Sequence, residues 1–358
     1  MDLTRLVAQG LVDRLYAGGA EAVAAFGVMQ GQDLGVLSSV ALRTASGSID
    51  EVLDLLRERR LVRGYPMRGT VFLGAARDLR WITELCSPGI VAQGRAVAEK
   101  SFGVGARELD SLREALYAHP AARGDGLTRA EYKELARKTL PHLDHSQTGV
   151  IYRSLFQLII EQDVVYSGWD GRDQRVALAE GILGPGLEEL FEDRTAATAE
   201  FMNRYFRTRG PATLADFRWW SKLKVSEIKK ALPLLADDVD AVERDGDTVY
   251  VDTLLAERLP GMLKEAERPR LLPAFDEFIL GYQDRLFAMT PKVHDVLVPR
   301  NRGVFRKAVV VCGTVRGAWT RSGSAGRRQL SMEAVATIPK SAAVPLRKRF
   351  EAYPFAVA

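Results

Sequence analysis

Four consecutive residues, Gln30-Gly31-Gln32-Asp33, carry the side chains whose types and spacing best suit the handling of one water molecule. If the segment is extended, Gln30 and Gln32 project on the same side, and Gly31 between them lets a substrate come close to the backbone. A glutamine amide does not titrate in the relevant range and cannot serve as a general base. It can accept a hydrogen bond from water and donate one to an oxygen. The pair is therefore fitted to hold a water and polarise it weakly. The same four residues also read as a polar helix entry, with Asp33 as N-cap and both glutamines solvated. Taken alone, the spacing fits that plainer reading better.

Other chemically equipped clusters leave similar alternatives. Residues Phe275-Asp276-Glu277-Phe278-Ile279-Leu280-Gly281-Tyr282-Gln283-Asp284-Arg285 interleave acids and aromatics. Asp276 or Asp284 would orient a side chain and Arg285 would reach a phosphate; the plainer reading is an inter-domain seam with its rings in the core. Trp219-Trp220 stands beside Ser221-Lys222-Leu223-Lys224, a site for stacking and backbone contact. Adjacent helical side chains point different ways, so at least one of these tryptophans belongs to a core. Tyr152 and Arg153 suit a phosphate or a base as well as a solvated helix face.

Familiar catalytic signatures are missing from the sequence. There is no P-loop, no G-x-S-x-G elbow, no H-E-x-x-H and no Gly-rich dinucleotide fingerprint. Cys86 and Cys312 stand far apart, and only His119, His142, His145 and His294 are present. His142 and His145 could share a helix face, but no third ligand type sits near them. Neither a metal nor a cofactor is expected, and no apolar run is long enough for a bilayer. The composition reads as a cytoplasmic, reduced, monomeric protein without a membrane partner.

Charge is unevenly distributed. Residues 292–350 hold thirteen Lys/Arg against two acids, while residues 1–291 carry a small acidic excess. A basic tail on a slightly acidic body points to a polyanion contact focused in one region.

These groups must be positioned by elements that repeat one plan three times. The first stretch has helical patterns over Leu3–Tyr16, Leu34–Thr44 and Asp50–Arg59, capped by Ser48 or Asp50. A strand Leu61–Tyr65, a turn Pro66–Gly69 and a strand Thr70–Leu73 follow. The second has helices over Arg107–His119, from Thr128 (a capping box with Glu131) through Lys138, and over Gln147–Gln162. Its hairpin is Val164–Ser167 with Arg175–Leu178. The third has a helix Ala196–Thr208 closed by Gly210-Pro211, then helices capped by Thr213 and by Ser226. Its hairpin, Val239–Glu243 with Thr248–Val251, turns at Asp245-Gly246. Beyond about Arg270 the strands Val304–Val311, Thr314–Thr320 and Glu333–Ile338 dominate. The fold class expected is α+β: three tandem winged helix-turn-helix units, residues 1–95, 96–185 and 186–264. A basic, β-rich, barrel-like domain over residues 265–358 completes the chain.

Taken in order, several short segments give the chain a family likeness. They are Met29-Gln30-Gly31-Gln32-Asp33, Arg68-Gly69-Thr70, Arg204-Tyr205, Gly210-Pro211-Ala212-Thr213, Asp216-Phe217 and Trp220-Ser221. Phe275-Asp276-Glu277, Gly281-Tyr282, Asp284-Arg285 and Asn301-Arg302-Gly303-Val304-Phe305 complete the set. In this order the chain resembles the AlkZ/YcaQ-like winged-helix DNA glycosylases over most of its length. The resemblance implies a concave surface for double-stranded DNA and excision of N-alkylated purines; some members also unhook interstrand crosslinks or act in self-resistance. It implies that the catalytic motif, Q-Φ-Q or Q-Φ-D with an aliphatic Φ, falls on Gln30 and Gln32. Gly31 departs from that pattern, and Phe72 stands where relatives often carry a histidine.

The residue roles implied are then a water held by Gln30 and Gln32, with electrostatic support from Asp33 or Asp276. DNA contacts fall to Arg68, Tyr152, Arg153, Lys222, Lys224, Tyr282 and Arg285, and in the basic tail to Arg316, Arg327 and Arg328. A monofunctional glycosylase acting on duplex DNA with N7- or N3-alkylated purines is the expected activity. The alternative is a winged-helix regulator or lesion shield that binds DNA without catalysis.

Overall fold

The structure, a computed structural model, describes residues 3–356 apart from 245 and 302, with the side chains of 148 and 301 also left aside. Asp245 of the expected turn and Arg302 of the Asn301–Phe305 segment therefore lie outside the described residues. Packing groups the chain into two units, one of residues 1–52 with 198–358 and one of residues 53–197. The four successive segments read from the sequence describe the order of elements; tertiary contacts join the first fifty residues to the C-terminal half instead.

The unit of residues 53–197 is built on two hairpins. Leu61–Met67 pairs antiparallel with Thr70–Ala75, and Val164–Ser167 with Arg175–Leu178. The first hairpin turns through Arg68 and Gly69, both at positive φ (57° and 65°), a conformation that glycine adopts without steric cost. The two hairpins join through Arg63 opposite Tyr166 into one sheet. The reason is electrostatic. Arg63 is buried, and its Nε donates to Gln174 Oε1 at 2.6 Å while its Nη2 pairs with Asp173, so the second hairpin's turn meets its charge.

The apolar stripes read from sequence supply this unit's core. Leu109, Leu112 and Leu116 of the helix Ala106–Ala118 meet Tyr132 and Ala136 of Arg129–Thr139. Val150, Leu155, Leu158 and Ile159 of Thr148–Ile160 close over them. The capping box forms as expected: Thr128 Oγ1 accepts the Glu131 N–H at 3.1 Å, and Glu131 accepts the Thr128 N–H at 2.7 Å. The helices Ala76–Cys86 and Pro88–Phe102 were not anticipated.

In the other unit the N-terminal helix is shorter than its pattern, Thr4–Ala8, and an unanticipated helix, Gly19–Phe26, leads into a three-residue strand, Val28–Gln30. The helix Gly35–Ala41 follows. Arg194–Arg209, Leu214–Ser221 and Val225–Ala231 appear near their expected places, and Phe201, Tyr205, Phe206, Phe217 and Trp220 interlock edge to face or tilted. Thr213 and Asp216 form the second capping box. Lys224, not Ser226, is the N-cap of Val225–Ala231, because the Glu227 carboxylate reaches back to the Lys224 N–H at 3.1 Å. Val239–Arg244 and Asp247–Asp252 form a separate hairpin.

The C-terminal strands do not close. Gln329–Ala334, Thr314–Ser322, Ala308–Val311 and Arg270–Leu272 lie in that order as an open four-stranded sheet. This corrects the barrel-like expectation. A barrel needs its edge strands to pair; here Leu346 and Phe350 of the helix Ala343–Glu351 pack with Trp319, Leu271 and Val309 and cover a sheet face. The last strand also lies earlier than Glu333–Ile338, pairing from Gln329 opposite Ser322 to Ala334 opposite Gly317.

Candidate active site

The strand Val28–Gln30 is held by buried charge. Arg209 Nη2 meets Glu277 Oε2 at 2.8 Å and also donates to the Val28 carbonyl at 3.1 Å; its Nη1 donates to the Phe26 carbonyl. The other Glu277 oxygen accepts the Gln30 backbone N–H at 2.7 Å. Both members of this ion pair are almost wholly buried. The arginine face also lies over the rings of Trp220 and Phe26, 4.3 and 4.8 Å from their centroids. A guanidinium with this many partners fixes the strand by several directional bonds at once.

A second buried pair stands next to it. Arg43 binds both oxygens of Asp276 at 2.9 and 3.0 Å, and Ser39 Oγ donates to Asp276 at 2.6 Å. Gln9 links this pair onward, accepting from Arg43 and donating to the Tyr282 hydroxyl, which in turn donates to the Arg209 carbonyl at 2.8 Å. Burial pushes the Asp276 carboxyl upward, but the Arg43 charge and the bonds from Arg43, Ser39 and the Phe278 N–H outweigh it and leave it below the usual carboxylate range.

A pH dependence follows. A depressed aspartate contributes stability that is complete above its unfolded value near pH 4 and is lost as pH falls through its lower folded value. Thermal midpoints taken from about pH 5 to about pH 2 should therefore fall more steeply for the wild type than for Asp276→Asn. Parallel curves would mean that the pair contributes nothing pH-dependent.

Within this frame Gln30 is 2% exposed, and its Nε2 has no hydrogen-bond partner among the described residues. Such an orphan costs roughly 1–3 kcal/mol. Gln32 and Asp33 are exposed, and Asp33 Oδ1 accepts the Gly35 N–H at 2.7 Å at the start of the next helix. The strand ends at Gln30, so the two glutamines differ in environment instead of sharing one extended face. Asp33 does work at the helix start, from two residues before Gly35.

The remaining sequence candidates separate into several environments. Asp276 is committed to Arg43 and lies in the core. Tyr282 is fully buried with its hydroxyl engaged, so it braces Arg209 and offers no surface to DNA. Arg285 lies between the rings of Trp219 and Phe305, at 5.2 and 5.1 Å; burial lowers its proton affinity and Asp284 opposes that. Lys222 and Lys224 are exposed, with the Lys222 ammonium 5.5 Å from the Trp219 centroid, while Trp220 is core. Arg316 and Arg328 are half-buried and Arg327 is exposed; the Arg328 guanidinium stacks 4.4 Å from the Phe355 centroid.

In the other unit, Tyr152 is exposed and stacks on Phe156, with Arg153 over both rings. Arg68 lies over Phe72 at 5.2 Å, and its turn meets Ile90 and Phe156 at Gly69. Tyr152, Arg153 and the Arg68–Gly69 turn thus all lie against Phe156.

Sequence reasoning missed Arg209 as the anchor of the glutamine strand; a lone arginine at a helix end gives no spacing signal. It also missed Lys307, half-buried over Trp319. Among the described residues no group of three or more His, Cys, Asp or Glu is gathered for a metal. His142 pairs with Glu108 and His145 with the Leu140 carbonyl. No described helix is long and apolar enough to cross a membrane.

The family model for DNA glycosylase AlkZ-like proteins matches residues 23–353. The solved structure of Streptomyces sahachiroi DNA glycosylase AlkZ is similar, with a TM-score of 0.70 and 22% identity over 99% of this chain and 95% of that one. No curated protein sequence matches. With a family match that runs from before Gln30 to beyond the C-terminal sheet, the chain belongs to the AlkZ-like DNA glycosylase family and is a DNA glycosylase.

Proposed function

We propose that this enzyme hydrolyses the N-glycosidic bond of N7- or N3-alkylated purines in duplex DNA, with Gln30 and Gln32 holding the attacking water. The observation that carries this reading is the unpartnered Nε2 of a buried Gln30, beside an exposed Gln32, on a strand anchored by Arg209 and Glu277. Alkylation at N7 or N3 makes the purine cationic, so it leaves without strong protonation by an acid. What remains is to aim water at the anomeric carbon and to tolerate positive charge on the sugar. Neutral amides suit both tasks.

In this reading the helix and hairpin stretches act as winged-helix units on the duplex, and the protein works as a monomer. Tyr152, Arg153 and Arg68 in one unit, and Lys222, Lys224, Arg285, Arg316, Arg327 and Arg328 in the other, hold backbone and bases. Gly31 stands in place of an aliphatic residue, which makes natural-product lesions and interstrand crosslinks the substrates to try, in repair or self-resistance. The test is chromatographic release of free base from a duplex carrying an N7-alkylated guanine, by the wild type and by Gln30→Ala/Gln32→Ala. Release by the wild type that disappears in the double variant is the expected result. Equal release by both would remove the glutamines from catalysis.

A further inference from the structure

We propose that Lys307 grips the backbone phosphate beside the lesion sugar and so holds that sugar against the Gln30–Gln32 turn, an inference that rests on the glycosylase reading above.

Lys307 directly precedes the strand Ala308–Val311 and is half-buried. Its Nζ lies 4.9 Å from the centroid of Trp319, whose indole N–H donates to the Leu272 carbonyl at 2.8 Å. Leu272 pairs with Ala308, the residue after the lysine. The chain leaving Leu272 closes on the glutamine turn: a Cβ built on Gly35 would lie 3.2 Å from Pro273 Cβ and 3.5 Å from the Ala274 carbonyl. Gly35 in turn donates to Asp33, three residues after Gln30. Lys307 and the glutamine turn are thus the two ends of one short, packed path.

Among the described residues the Lys307 ammonium has neither a hydrogen bond nor an ion pair. A cation taken partly out of water without a counter-ion at bonding distance is in an unfavourable state. Burial accordingly draws its proton affinity below the usual lysine range; the Asp33 charge opposes this, and Arg321 adds to it. A phosphodiester supplies the missing counter-charge and acceptor oxygens. Arg327, by contrast, lies exposed, where a charge contributes little beyond attraction. Lys307 differs because its contact is partly desolvated and close to the turn that holds the water, so its effect falls on positioning as well as on affinity.

The experiment uses the full chain and a duplex containing a tetrahydrofuran abasic analogue, which binds without needing excision. Affinity is measured against salt for the wild type, Lys307→Gln and Lys307→Arg. Saturating single-turnover base release is measured on an N7-alkylated duplex. One lost phosphate contact should reduce the slope of log affinity against log salt by about 0.9 in Lys307→Gln. Its saturating release rate should fall about tenfold, since a positioning contact acts on the bound complex. Lys307→Arg should restore the slope and most of the rate. A slope in Lys307→Gln equal to that of the wild type overturns the proposal, as does an unchanged saturating rate. A wild type that releases no base would instead sink the glycosylase reading, and the slope would still report on Lys307.

Discussion

Gln30→Met should leave the protein folded, with its thermal midpoint unchanged or raised, and lower single-turnover base release by about 10²–10³-fold. The two side chains have similar volume, so the swap neither opens a cavity nor overpacks the site. It does remove a buried amide whose Nε2 has no partner, and with it the desolvation cost of that group. If Gln30 were only packing, methionine would serve at least as well and the rate would hold. Thermal melts and single-turnover rates on the same preparation separate the two cases. A lowered midpoint together with an unchanged rate would invert the assignment.

The second large effect concerns the anchor. Arg209→Ala leaves the Glu277 carboxylate buried without its cation and should cost about 3–5 kcal/mol, read as a shift of the urea midpoint. The same substitution frees the Phe26 and Val28 carbonyls, so the glutamine strand loses its fixed position even in molecules that stay folded. Replacing both partners, as in Arg209→Met/Glu277→Leu, should recover part of the stability, because a buried pair exchanged for apolar residues is often neutral. It should not recover base release, since the Gln30 N–H then has no carboxylate to bind. Full recovery of the rate in the double variant would show that the anchor does not position Gln30.

Much of this was legible in the residues. The capping boxes at Thr128 and Thr213 are local and formed as read, and the hairpins Leu61–Ala75 and Val164–Leu178 followed alternation and turn chemistry. The glutamine pair was visible as a motif. What the sequence did not disclose was partnership at a distance. Asp276 and Glu277 are adjacent acids in sequence, yet each is claimed by a different arginine, Arg43 and Arg209, whose positions carry no spacing signal. Tyr282, counted among the DNA contacts, is a buried brace, as the plainer reading of its segment had it. The barrel-like ending failed because alternation predicts strands, not whether the edge strands of a sheet pair with each other. The similar surroundings expected of Gln30 and Gln32 failed because the strand stops at Gln30.

The chemical core of the account is that the leaving base is already charged, so two neutral amides suffice. Single-turnover base release from two duplexes of one sequence tests this directly, one carrying an N7-alkylated guanine and the other hypoxanthine, a neutral base whose departure requires a proton. The account predicts release of the alkylated base, with hypoxanthine at least about a hundredfold slower, the scale of a missing general acid. Comparable rates on the two would contradict it, because the site would then have to contain an acid that the glutamine pair cannot supply.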